Sequence, residues 1–401
     1  MAHTLQKPAP PPQGRPAANM AHDYFAFLAR TFPVMCSSDE FHFMPRAEKA
    51  YAWLDRLDDL SSDSVERTCE AIRSFRAAFK HACPGSDLQT AIDLDMLAAS
   101  CNGVLIELEQ HRSWESNPLL YLKIVFIGLD QALNKPCPDH KEHAARISSR
   151  LSQALQVLDQ ACSNLSTIPA SQHAAAMNMI EDGKTFLQEA VSLEHPARPK
   201  INLQELDQLG RALEKFARFL HGLVPVPDSH MARNTLETTL REHFLDSRSL
   251  AELESLAGDE YASALSRLKD VQARLDPHRS WEELYHGLLI PEIEARDTLP
   301  LYQREIQALQ DFFRPSVFGV DQEMAPLELV DTPTYLRRVR SSASFCAALT
   351  RGETSFFFLS PESPRSYGQE AARARSQRLN REFHFLTAHE TIPGHHLLDA
   401  R

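Results

Sequence analysis

Between Asp23 and Asp276 apolar residues recur mainly three and four positions apart, the spacing that lines them along one face of successive helices. The run Leu203, Leu206, Leu209, Leu213, Phe216 and Leu220 is the clearest. Asn202 and Glu205 are placed to satisfy orphan amides at its start, while Pro225 and Pro227 stop its continuation. A second helix is expected to begin at Asp63, with Glu66 as its reciprocal partner. It carries Val65, Cys69, Ile72, Phe75 and Phe79 before Pro84-Gly85. Similar periodicity covers Leu88 to Gln110, Ile147 to Leu165, Ala174 to Leu193, Leu236 to Phe244, Tyr261 to Leu275 and Leu301 to Phe313.

No segment repeats at a fixed period, which argues against a regular solenoid. Strand signals are scarce. Ser355-Phe356-Phe357-Phe358-Leu359, bounded by Gly352 and Pro361, reads as a short strand because aromatics favour a pleated surface, with a buried helical turn as the alternative. Beyond it, Tyr367 to Ile392 predicts one long helix that ends where Pro393 removes a backbone donor and Gly394 permits an unusual turn. The expected fold class is mainly α, a multi-helix architecture with at most a small sheet near 355–359.

The 401 residues, 43% of them hydrophobic, suffice for a substantial core in one large or two ordinary domains. Residues 1–19 contain Lys7-Pro8-Ala9-Pro10-Pro11-Pro12 and lack the apolar stretch of a secretory signal, so they read as a disordered leader ahead of a second usable start at Met20. Residues 20–275 form an N-terminal helical region and 276–401 a distinct C-terminal region. With 42 basic against 54 acidic residues the net charge is -12, which repels phosphate backbones and gives no attraction to anionic lipid. Neither nucleic acid nor a membrane is an expected partner. Even the apolar run Leu119 to Leu129 is interrupted by Lys123 and is too short to span a bilayer. Seven cysteines, an odd number without a Cys-x-x-Cys pair, suggest reduced thiols and a cytoplasmic protein.

The chemistry gathers near the C-terminal end, in His389-Glu390-Thr391-Ile392-Pro393-Gly394-His395-His396. Catalytic zinc sites commonly use two histidines one helical turn apart and a glutamate beside the first as general base. His389 and Glu390 fit that pattern, but proline occupies position 393 and the next histidines are His395 and His396. On an undistorted helix His395 lies about 240° around the axis from His389, and His396 roughly 10.5 Å further along it. If Pro393-Gly394 opens the helix, the two inserted residues loop out and His395 returns to the place one turn after His389. His389 and His395 are thus the favoured ligands of a zinc ion; His396 is the fallback, or orients a neighbour by a hydrogen bond. The alternative is a metal-free helix end, where histidine suits the helix dipole.

Other groups carry weaker signals. Cys137, Asp139, His140 and His143 could form a ligand cluster, but Pro136-Cys137-Pro138-Asp139 also reads as a helix start. Arg337, Arg338 and Arg340 could hold a substrate carboxylate, yet a solvated helix face explains them as well. The same applies to Arg373, Arg375, Arg378 and Arg381. Ser341, Ser342 and Cys346 show no histidine at a recognisable nucleophile spacing.

The block His389 to His396 resembles the bacterial family known as domain of unknown function 885 (DUF885), whose hallmark is His-Glu-x-x-Pro-Gly-His-His, and through it the helical zinc metallopeptidases of the thermolysin clan. Leu256-Ala257-Gly258-Asp259-Glu260-Tyr261 is similar to the family's Leu-Gly-x-x-x-Tyr segment, and Asp331 to Leu336 and Phe356 to Phe358 occupy the expected places. The resemblance implies a metallopeptidase-like hydrolase with a peptide substrate, in which His389 and His395 bind zinc and Glu390 is the general base. It also implies a third ligand from a downstream Glu-Gly-Trp-like segment. The sequence stops at Arg401, so 276–401 is expected to be the start of a catalytic region whose C-terminal part is missing. The competing expectation is a non-catalytic helical scaffold retaining a relic of the motif.

Overall fold

A computed structural model describes residues 17–83, 86–137, 139–192, 201–228, 232–288, 295–317, 325–350, 352–360 and 377–399. Its helices are α1 (Ala17–Thr31), α2 (Ser62–Ala82), α3 (Leu88–Ile106), α4 (Ser113–Ser116), α5 (Pro118–Asn134), α6 (His140–Asn164), α7 (Ala170–Ser192), α8 (Leu203–Gly222), α9 (Arg233–Thr238), α10 (Leu250–Leu275), α11 (Trp281–His286), α12 (Ala295–Val317), α13 (Phe383–Glu390) and α14 (His395–Asp399). One short sheet joins them, formed by β1 (Leu327–Asp331), β2 (Ala343–Cys346) and β3 (Ser355–Leu359). The mainly α expectation holds, and so does the strand at 355–359.

Two compact units emerge. The first comprises residues 1–245, 333–339 and 349–351; the second comprises 246–332, 340–348 and 352–401. The division thus falls at Leu245/Asp246, ahead of the boundary near 275 read from the sequence. Of the segment expected to be a leader, residues 17–19 open α1, and 1–16 lie outside the described residues.

The first unit is built around α5, which buries Leu120 through Leu129 apart from Lys123, and so has no polar face. Asn117 caps it by accepting from the Leu119 amide, and Pro118 sits at the first helical position, where its missing N–H costs nothing. Helices α6 and α8 cover the core with single stripes; in α8 Leu209, Leu213, Phe216 and Leu220 are all buried. Asn202 caps α8 by accepting from the Gln204 amide at 3.0 Å, but Glu205 does not reciprocate, because its carboxylate accepts from the Ser148 hydroxyl instead. Likewise α2 starts at Ser62 with Ser61 at its cap and no side-chain cap bond, so Asp63 and Glu66 do not form the expected box.

The segment 333–339 completes this unit. Tyr335 is buried between Phe126 (ring centroids 5.8 Å apart) and Phe186 (4.9 Å). Arg338 donates to both carboxylate oxygens of Asp182 at 2.6 Å and to Asn178.

In the second unit β3 lies centrally, parallel to β1 and antiparallel to β2. Ser355, Phe357 and Leu359 are buried, as the period of two requires. Phe357 and Leu359 pack with Tyr302, Ile306, Ala343, Leu379 and Leu386. The Tyr302 hydroxyl donates to the Leu379 carbonyl at 2.9 Å, and the Thr298 hydroxyl donates to Asn380, so α12 grips the approach to α13. The single helix expected from Tyr367 to Ile392 is interrupted. Residues 377–381 are helical, Glu382 breaks the run, and α13 ends at Glu390; residues 367–376 lie outside the described residues.

Candidate metal centre

The C-terminal end of α13 carries the site. Thr391 leaves helical geometry (φ −118°, ψ −97°), though its amide still donates to the Thr387 carbonyl at 2.9 Å. Its hydroxyl donates to the same carbonyl at 2.5 Å. The chain then turns through Ile392, Pro393 and Gly394, with a cis bond before Pro393, and α14 starts at His395. The Leu397 amide reaches back to the Thr391 carbonyl at 3.2 Å and closes the turn. Glycine at 394 is a steric requirement: a Cβ there would lie 1.8 Å from the His389 carbonyl oxygen and 2.6 Å from that of Ala388.

This turn brings His389 and His395 together, ring centroids 4.8 Å apart and planes nearly perpendicular at 87°. With Glu390 they form a group whose candidate ligand atoms all lie within 4.8 Å of one another. Both imidazoles are exposed, and Glu390 is buried. Ligand atoms around a tetrahedral zinc lie about 3.3 Å apart, given metal–nitrogen distances near 2.0 Å. Two imidazole nitrogens beside a carboxylate suit that ion, and the spread is within reach of small side-chain rotations.

Burial raises the Glu390 carboxyl above the usual glutamate range, opposed by His395, His389, a hydrogen bond from the Phe345 amide and the charge of Arg340. Phe345, on β2, is the organiser that sequence reasoning missed. Its amide serves Glu390, its ring stacks on His395 (6.2 Å, 11°) and tilts against His396 (5.8 Å), and its carbonyl accepts from Arg340 at 3.1 Å. The sheet brings it there from 45 positions before Glu390, and no motif marks it.

His396 points elsewhere. It is 2% exposed, and its Nε2 lies 2.9 Å from the Ala325 carbonyl, so that nitrogen carries the hydrogen and donates. Burial holds it below the ordinary histidine range. It anchors α14 and stands outside the group of three.

The other sequence candidates resolve into structural roles. Asp139 caps α6 by accepting from the Lys141 and Glu142 amides, and His143 is buried beside the Ala132 carbonyl at 2.9 Å, so the helix-start reading describes that cluster. Arg338 is neither solvated nor at a site, being consumed by Asp182 and Asn178. Arg340 lies over the Phe358 ring at 4.9 Å. Arg378 pairs with Glu382, and Arg381 lies over Tyr285; Arg373 and Arg375 fall outside the described residues. The Ser341 hydroxyl donates to the Ala343 carbonyl.

Two solved structures share the fold. A "putative lipoprotein of unknown function from Shewanella oneidensis" superposes with a TM-score of 0.63 at 14% identity, over 96% of this chain and 71% of its own. The "putative lipoprotein from Colwellia psychrerythraea" gives 0.66 at 10% identity, over 95% and 71%. Those descriptions correct the cytoplasmic expectation. Free cysteines and a net charge of -12 do not by themselves specify a compartment. Among the described residues no helix is long and apolar enough to cross a membrane. No curated protein matches the sequence. A family model, bacterial protein of unknown function (DUF885), matches residues 47–398, from before α2 through His389, His395 and His396. On that match, which takes in most of the chain, the protein belongs to the DUF885 family.

Proposed function

We propose that this chain carries the zinc-binding and catalytic-base segment of a hydrolase acting on peptide amide bonds. The observation that carries the reading is the Pro393-Gly394 turn, which sets His395 against His389 with the buried carboxylate of Glu390 alongside. His389 and His395 would hold the ion. Zinc, when bound, supplies Lewis acidity that lowers the pKa of water and polarises a carbonyl.

The chain's own residues do the rest. Glu390 accepts a proton at its carboxylate from the attacking water and returns it to the leaving amine. The Phe345 amide keeps one lobe of that carboxylate fixed and favours its ionised form. Phe345 also holds the His395 ring plane, so that its ligand nitrogen does not swing. The descriptions of the two structural neighbours favour an extracytoplasmic setting, which makes peptides met outside the cytoplasm the first substrates to test.

The deciding experiment measures metal content and cleavage of a mixed peptide library for the wild-type protein and for Glu390→Gln, His389→Ala and His395→Ala. The reading expects zinc to survive the first substitution, without hydrolysis, and to be lost in the other two. A protein that carries the third ligand implied by the resemblance and still neither retains zinc nor cleaves peptides would favour the non-catalytic scaffold.

A further inference from the structure

The segment containing Leu256 and Tyr261 is not part of the metal centre; it lies on α10, 26 residues and about 39 Å long. Its start is fixed by a capping box between Ser249 and Glu252. Leu250 is its one buried residue. Leu250, Leu253, Ala257, Tyr261, Ala264, Leu268, Val271 and Leu275 follow one another at steps of three and four. At about 100° per residue they fall within a stripe roughly 80° wide. Tyr261 and Leu275 are each 70% exposed, and Ala257, Ala264, Leu268 and Val271 are exposed too. From Ala257 onward nothing among the described residues covers this stripe, and an isolated helix with such a face is marginal in water.

The charges beside the stripe are segregated. Every charged residue in the first half is acidic: Glu252, Glu254, Asp259 and Glu260. The second half carries Arg267, Lys269 and Arg274 against the single Asp270. Glu254, Glu260 and Lys269 have no opposite charge three or four positions away, so the helix does not neutralise them itself.

We infer that α10 is a self-association surface whose occupant is α10 of a second copy, packed antiparallel about a two-fold axis near residues 262 and 263. In that register Leu253 meets Val271, Ala257 meets Leu268, and Tyr261 meets Ala264, so at the centre of the pair large side chains oppose small ones. A perpendicular two-fold axis also sets each flank of the helix against the same flank of the other copy, running the opposite way. Glu260 then faces Arg267 on one flank, and Glu254 faces Lys269 on the other. A parallel pair would instead bring opposite flanks together, with Glu254 near Glu260 and Lys269 near Arg274, which repels.

The test is the mass in solution of the full chain at micromolar concentration, by sedimentation or light scattering. The wild type should be a dimer. Leu268→Glu should make it a monomer with unchanged circular dichroism and a melting temperature that no longer rises with protein concentration, since that side chain is exposed in its own chain. Glu254→Lys with Glu260→Lys should also give a monomer, and adding Lys269→Glu with Arg267→Glu to the same chain should restore the dimer. A monomeric wild type, or a dimer indifferent to Leu268→Glu, would overturn the inference. Failure of the four-fold charge exchange to restore association would overturn the antiparallel register.

Discussion

A methyl group added at Gly394 should separate His389 from His395 and abolish metal binding. The Cβ of Gly394→Ala would start 1.8 Å from the His389 carbonyl oxygen and 2.4 Å from its carbonyl carbon. An ordinary contact needs about 3.4 Å or more, so the backbone of the turn must retreat by roughly 1.5 Å. The obstructing atoms are backbone, held in the last turn of α13, and cannot swing aside. A zinc–nitrogen bond tolerates about 0.2 Å of error, so the retreat removes His395 from the ligand set. The expected loss of zinc affinity is at least about 100-fold, the upper end of what removing a supporting group costs. The cost to the fold should be only about 1–3 kcal/mol, typical of overpacking. Competition with a chromophoric chelator reads the affinity, and thermal unfolding of metal-free protein reads the fold. Unchanged zinc affinity in a folded Gly394→Ala protein would refute the claim that this turn builds the site.

In the enzyme completed by the implied third ligand, Glu390→Gln should lower peptide hydrolysis by about 10²–10⁴-fold with zinc retained, as measured by turnover and metal analysis; parallel loss of metal would make Glu390 a ligand instead. Arg338→Ala should destabilise the fold by about 3–5 kcal/mol in denaturant titrations, because it leaves the Asp182 carboxylate buried without its partner, and a cost below about 1 kcal/mol would contradict that. Burial pushes Asp58 up to about 7, against the two amides it accepts from and the charge of Arg150. The folded protein therefore binds a proton that the unfolded chain releases near pH 3.9. This contribution is complete below that value and is lost as pH rises from there to the folded value, so the stability advantage of wild type over Asp58→Asn should shrink between about pH 4 and about pH 7 and level off above it. A constant difference across that range would count against the shift.

Legibility in the sequence followed the physics of each element. Helix α8 has one wet and one dry face, so its period was plain, as was its cap at Asn202. Helix α5 was overlooked because it is buried nearly all round, and a helix without a polar face has no period to read. The partner of Glu205 could not be foreseen, since Ser148 reaches it only through tertiary packing. Pro393-Gly394 loop out and bring His395 beside His389, a local consequence of backbone chemistry that the sequence carries on its face. Phe345 depended on strand pairing, which a motif cannot encode.

The burial of Tyr335 between Phe126 and Phe186 constrains how the molecule can be made. Its ribosome finishes residues 1–245 well before 333–339 emerge, yet both stretches belong to one compact unit. At about 5–20 residues per second, the nascent chain waits roughly 5–20 s with the aromatic slot beside α7 unfilled and Asp182 lacking its arginine. Throughout that interval the amino-terminal helices expose apolar surface and an unpaired acid. Synthesis therefore imposes on this protein a window of vulnerability to aggregation and proteolysis that closes only when Tyr335 and Arg338 arrive.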